Sequence, residues 1–214
     1  MTEMSPLGTS NSSGARRHQY DAETFAKMRT NVGQPIFGVD VKITDDDNEE
    51  LPWDGVAFGA LKVRGPWICS SYFKLDGSSA HEEDGWFETG DVATIDSRGN
   101  VSITDRTKDV IKSGGEWISS IEIENCATGH PQVAEAAVIG RNHPKWGERP
   151  LLIIVKSGEH AVAPDELKGY LDGKIAKWWM PDDVQFIDEM PHTATGKIQK
   201  MKLREMFADY QFPA

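Results

Sequence analysis

The run Leu151-Leu152-Ile153-Ile154-Val155 is the longest purely aliphatic stretch in the chain, and it constrains the fold more than any other segment. It falls far short of the roughly 20 apolar residues that a helix needs to cross a bilayer. β-Branched side chains lose freedom in a helix and pack well on a pleated surface. This run and Val133 to Ile139 are therefore read as strands. Helix signals surround them. Ser119-Ser120-Ile121-Glu122 has the form of a capping box opening a helix, which Gly129 and Pro131 would stop. Pro164 suits the first turn of a helix running from about Asp165 to Lys177. Val184 to Ile187 reads as a short strand, and a last helix is expected from Lys200 to Asp209.

The first half is written in a different pattern. Val39 to Ile43 alternates, the acidic run Asp45 to Glu50 makes a solvated turn, and Gly55 to Val63 reads as a strand ended by Arg64-Gly65-Pro66. Val92 to Ile95 and Val101 to Thr104 flank Asp96-Ser97-Arg98-Gly99-Asn100 as a hairpin. The expected class is α+β: a small twisted β-sheet or barrel over 33–105, then a compact α+β domain over 106–214 with a small central sheet flanked by helices. Residues 1–32, rich in Ser, Thr, Asn and Gly with one weak helical stretch from Asp21 to Met28, are expected to be poorly ordered.

Charge narrows the partners. The formal net charge is −11, and it is uneven: 9 Lys+Arg face 18 Asp+Glu in residues 1–105, against 14 and 16 in residues 106–214. Neutralising a nucleic-acid backbone needs clustered cations, so no nucleic-acid partner is expected. The N-terminal residues have no apolar stretch of a signal peptide. Cys69 and Cys126 lack a metal-type spacing, and two unpaired thiols in a cytoplasmic setting are expected.

Four stretches carry candidate chemistry: MTEMSPLGT (1–9), GWFETGD (85–91), ITDRTKDVIKSGGEWISS (103–120) and PHTATGKIQK (191–200). The last suggests a phosphate loop, yet Ile198 stands where a Walker-type loop needs Ser or Thr, so that loop is excluded. Each stretch also has a plain structural reading. Asp91 can stabilise a turn, Asp105 and Arg106 can form a weak surface pair, Lys112-Ser113-Gly114-Gly115 can be a hairpin turn, and Lys197 can be one solvated lysine among many. His192 is read as a loop residue, and one of Trp178 and Trp179 as core.

Taken together and in this order, the stretches resemble the C-terminal third of the adenylate-forming superfamily, closest to fatty-acyl-CoA synthetases, including medium-chain and methylmercaptopropionate ligases. DRTKDVIKSGGEWISS and KWWMPDDVQFIDEMPHTATGKIQK carry the likeness, with support from HPKWGERPLLIIV and VRGPWICSSYF. The resemblance implies an acid–thiol ligase that joins a carboxylic acid to ATP, releases pyrophosphate, and passes the acyl group from AMP to CoA. It makes Lys197 the adenylation lysine, a compact cation between two approaching anions. Asp91 and Arg106 become ribose ligands, Lys108 the hinge, and Lys112, Ser113, Gly114, Gly115, Glu116 and Trp117 the pantetheine path. Thr2 contacts the α-phosphate, and Glu3 helps hold Mg²⁺. The second domain becomes a mobile lid, and residues 1–32 a remnant of a large N-terminal domain.

The departures are large. The Gly/Ser/Thr-rich triphosphate loop and the acyl pocket have no counterpart in these 214 residues. The expectation is thus a C-terminal portion, inactive in isolation, whose partner is the missing N-terminal portion, with a homo-oligomer left open. A non-catalytic module that binds CoA or nucleotide beside a synthetase is the competing reading.

Overall fold

The computed structural model describes residues 1–11, 18–74, 80–82, 84–158 and 162–213. The chain divides into two units, Met1–Lys108 and Asp109–Ala214.

The first unit is built on an antiparallel sheet of four strands, β3 (Asp40–Thr44), β4 (Phe58–Arg64), β5 (Phe87–Ile95) and β6 (Val101–Arg106), in that order. Before it come the paired strands β1 (Thr9–Ser10) and β2 (Gln34–Pro35) and the helix α1 (Ala22–Thr30). Of the sheet and barrel left open by the sequence, an open sheet forms, since β3 and β6 are its two edges. Its core is Ile43, Val63, Phe87, Ala93, Ile95 and Val101, all at most 2% exposed. The β5–β6 hairpin turns through Asp96, whose Oδ1 accepts the N–H groups of Arg98 and Asn100 at 2.9 Å each. Strand β4 starts later than Gly55, because Asp54 Oδ1 accepts from Val56 and Ala57 at 2.8 Å and holds those residues in a turn.

In the second unit, β9 (Val133–His143) and β10 (Gly147–Lys156) form a long hairpin. On its other side β10 pairs in parallel with β11 (Asp183–Phe186) and, at Gly147, with β7 (Ile111–Ser113), which turns back into β8 (Glu116–Ile118). Strand β10 is covered on both faces. Leu152 and Ile154 pack with Ile123 and Ala127 of α2 (Ser120–Thr128) and with Leu167 and Leu171 of α3 (Pro164–Leu171). Leu151 and Ile153 face the other way, toward Met190 and toward Leu203 of α4 (Lys200–Met206). Burial on both faces is why the aliphatic run has no polar alternation.

The helix limits follow the sequence with two corrections, one of them that α4 ends at Met206 rather than Asp209. Ser119 Oγ accepts the Glu122 N–H at 3.2 Å and opens α2, which Gly129 ends. α3 stops at Leu171 rather than reaching Lys177, because Asp172 takes extended backbone and the chain turns into a separate short 3-10 turn, Lys177–Trp179. In that turn Trp179 packs on the core and Trp178 is exposed. Among the described residues no helix is long and apolar enough to cross a membrane.

Candidate functional site

Lys197 stands at the end of a tight turn between β11 and α4. The Thr193 N–H donates to the Lys197 carbonyl at 2.8 Å, the Gly196 N–H to the Thr193 carbonyl at 2.9 Å, and the Lys197 N–H to Thr193 Oγ1 at 3.2 Å. Gly196 sits at φ +80°, a left-handed conformation that side chains resist. The loop thus holds an exposed lysine at the end of a closed turn, and among the described residues no carboxylate forms an ion pair with it. His192 reaches across to Glu135 on β9 at 2.7 Å, which ties the loop to the sheet.

Lys112 to Trp117 form the β7–β8 hairpin, as the plain reading of the sequence had it. Gly114 and Gly115 make its two-residue turn at φ +60° and +89°, the pattern that matches strand twist. Gly114 has little room as well: a Cβ there would come within 3.0 Å of the Trp146 ring and 3.5 Å of Trp178. Those two rings meet edge to face, with centroids 5.0 Å apart at 88°. Lys112 lies over the Trp117 ring at 4.9 Å.

The lysine turn and the glycine turn belong to opposite ends of the same strand. Ser113 pairs with Gly147 at the start of β10, whereas Glu135, which anchors the lysine loop, pairs with Val155 near its end. Gly147 and Val155 are eight positions apart, about 25 Å along a strand.

In the first unit, Asp91 and Arg106 are brought together. They face each other across β5 and β6, and Arg106 Nη1 donates to Asp91 Oδ1 at 2.5 Å. The Arg106 guanidinium thus has the Asp91 carboxylate across the sheet, where the plain reading set Asp105 beside it. Asp105 is fully buried, and its carboxylate accepts the Arg106 backbone N–H at 2.7 Å. Lys108 is exposed and closes this unit. Thr2 and Glu3 lie in a 3-10 turn, Thr2–Met4, and Met4 packs on the sheet. The Glu3 carbonyl accepts the Cys69 N–H at 2.8 Å, and Glu3 Oε1 accepts the Tyr72 hydroxyl at 3.1 Å. Burial, then the Glu3 carboxylate, pushes the Tyr72 phenol up, and the same two causes raise the Cys69 thiol. Among the described residues no group of three or more His, Cys, Asp or Glu side chains could hold a metal. A Mg²⁺ ion fits Glu3 only as one carboxylate ligand, the remainder coming from water and phosphate.

Residues 122–197 match the family model of the AMP-binding enzyme C-terminal domain. The 3-methylmercaptopropionyl-CoA ligase of Ruegeria lacuscaerulensis is 54% identical over 209 residues, which are 98% of this chain and 39% of that protein. The chain belongs to the adenylate-forming acyl-CoA ligase family. A medium-chain-fatty-acid–CoA ligase from Ectopseudomonas oleovorans is 47% identical over 209 residues, 98% of this chain and 38% of that one. ATP-bound MatB from Rhodopseudomonas palustris has the same fold, with a TM-score of 0.73 and 35% identity over 84% of this chain and 36% of that one. The chain thus spans about two fifths of the length of the curated ligases it matches.

Sequence reasoning passed over two residues that the structure brings forward. Tyr72, 69 positions from Glu3, holds its carboxylate. Arg149, on β10, reaches Ser113 of the glycine hairpin. Both lie in stretches that carry the family likeness, VRGPWICSSYF and HPKWGERPLLIIV, but their partners are distant in sequence and meet them only in the folded chain.

Proposed function

We propose that this chain provides the ribose grip and the lid of an acid–thiol ligase, which turns a carboxylic acid, ATP and CoA into acyl-CoA, AMP and pyrophosphate through an acyl adenylate. An aliphatic acid is the favoured class, in keeping with the 54% and 47% identical relatives. The observation that carries the reading is the separation of the lysine turn from the glycine turn by the length of β10. Two chemistries placed about 25 Å apart on one unit cannot act on the same acyl carbon in one pose. A unit that swings on Lys108, the last residue before it, can present them in turn.

Each group then has a task that its chemistry suits. Asp91 accepts from ribose hydroxyls, with Arg106 beside it as donor. Thr2 offers a hydroxyl to the α-phosphate. Glu3, steadied by Tyr72, supplies one ligand to Mg²⁺, which when bound draws charge from the phosphates. Lys197 stabilises the charge that develops as the carboxylate attacks the α-phosphate. In the other pose, the Gly114–Gly115 turn and the Lys112 and Trp117 side chains line the approach of the pantetheine thiol.

The test uses a ligase completed with the length that these residues do not span. Lys197→Ala should lower carboxylate-dependent exchange of pyrophosphate into ATP by a factor of about 100 or more, while thioester formation from supplied acyl-AMP persists. Equal loss in both half-reactions would remove Lys197 from the role assigned to it. Tight CoA or nucleotide binding with no turnover in the completed protein would favour a binding module instead.

A further inference from the structure

Arg149 is 6% exposed, and its side chain is anchored in three directions. Nε and Nη2 both lie 2.8 Å from Asp182 Oδ1. Nη1 donates to Ser113 Oγ at 3.2 Å and to the Trp178 carbonyl at 3.0 Å, and Nη2 donates to the Met180 carbonyl at 3.1 Å. The guanidinium also lies over the Trp178 ring, 4.6 Å from its centroid. Arginine has five N–H donors in a fixed plane. Here they are engaged by the protein, so this residue does not contact a substrate.

What the guanidinium joins is informative. Ser113, fully buried, is the residue immediately before the glycine turn. Trp178 is one wall of the corner into which Gly114 fits, and Trp146, whose carbonyl accepts the Gly114 N–H at 2.8 Å, is the other. One side chain is therefore bonded both to the stem of the glycine turn and to its wall, alongside the Glu148 carboxylate that accepts the Lys112 N–H at 3.1 Å.

Resting on the function proposed above, we infer that Arg149 is a positioning residue for thioester formation. It fixes the Gly114–Gly115 turn along the pantetheine path and acts through Ser113 and Trp178. The lysine turn is anchored toward the far end of β10, so the adenylation step does not depend on it.

The experiment measures both half-reactions of the completed ligase for Arg149→Lys, Ser113→Ala and Gly115→Val, with thermal unfolding of each. Lysine keeps the charge but not the planar fork. Arg149→Lys should raise the KM for CoA about 10-fold or more, with kcat at saturating CoA and pyrophosphate exchange retained. Ser113→Ala, which keeps the contacts to Asp182, Trp178 and Met180, should move the same KM in the same direction to a smaller extent. It carries the test alone if Arg149→Lys does not fold. Parallel loss in both half-reactions, or an unchanged KM for CoA in a folded variant, would overturn the inference. Gly115→Val separates the two levels. If it leaves the KM for CoA unmoved, the hairpin is not on the CoA path and the proposed function fails there. If it raises that KM while Arg149→Lys and Ser113→Ala do not, only the role of Arg149 fails.

Discussion

Replacing Gly196 isolates the backbone's contribution to presenting Lys197. The residue sits at φ +80°, and a Cβ built there would have no atom within 4 Å. Substitution therefore brings no clash and loses no contact, and its whole effect is conformational. An L-residue held in the left-handed region costs roughly 1 to 2 kcal/mol relative to glycine. At about 1.4 kcal/mol per factor of ten, Gly196→Ala should lower the ratio of the observed turn to other loop conformations roughly 5- to 30-fold. Asparagine tolerates this region better than alanine does, so Gly196→Asn should fall between the two. A β-branched valine should be worst. Pyrophosphate exchange by the completed ligase reads the series, and urea unfolding should stay nearly constant, since the turn is exposed. Full exchange by Gly196→Ala, or asparagine ranking below alanine, would show that Lys197 works from a different turn.

The core and the acid limb give two further expectations. Leu152 is fully buried on the most enclosed strand, and Leu152→Ala should destabilise the chain by about 2 to 5 kcal/mol, checked by urea unfolding; a loss below about 1 kcal/mol would contradict the two-sided burial of β10. Asp183 is held below the usual carboxylate range: burial opposes its ionisation, but hydrogen bonds from Tyr210, Gln185 and the Val184 N–H outweigh it. Its stabilising contribution is present above the unfolded pKa and lost as pH falls through the lower folded one, so from about pH 4 downward. Tyr210→Phe removes one of those bonds and should flatten the acid side of the melting temperature against pH; an unchanged slope would assign the acid sensitivity elsewhere.

Local signals were legible where a few neighbouring residues decide the outcome. Ser119 caps α2, Asp96 closes the β5–β6 turn, and Gly114-Gly115 turn a hairpin because side chain and backbone act within four positions of one another. The end of α3 was misjudged although its stop is local: Asp172 is extended and Gly173 after it sits at φ +73°, the left-handed turn that commonly ends a helix. The plain reading of Arg106 as a surface partner of Asp105 set it beside a chain neighbour, although alternating residues of a strand point to opposite faces; the register of β5 and β6 places it opposite Asp91, the residue with which the family resemblance groups it. Arg149 was invisible for a related reason. Its acceptors lie 29 to 36 positions away and converge only once β7, β10 and the segment before β11 are in place.

The seam at Lys108 has a consequence for how such chains change over time. Each hydrophobic cluster draws its residues from one side of that seam. Directly after it Asp109 is buried and bonded at 2.7 Å by Arg204 of α4, so the second unit holds its own first residue. A genetic crossover at this point exchanges one unit for a homologue's without dividing any cluster. Lineages can therefore inherit the two parts from different parents, and the parts can drift at separate rates.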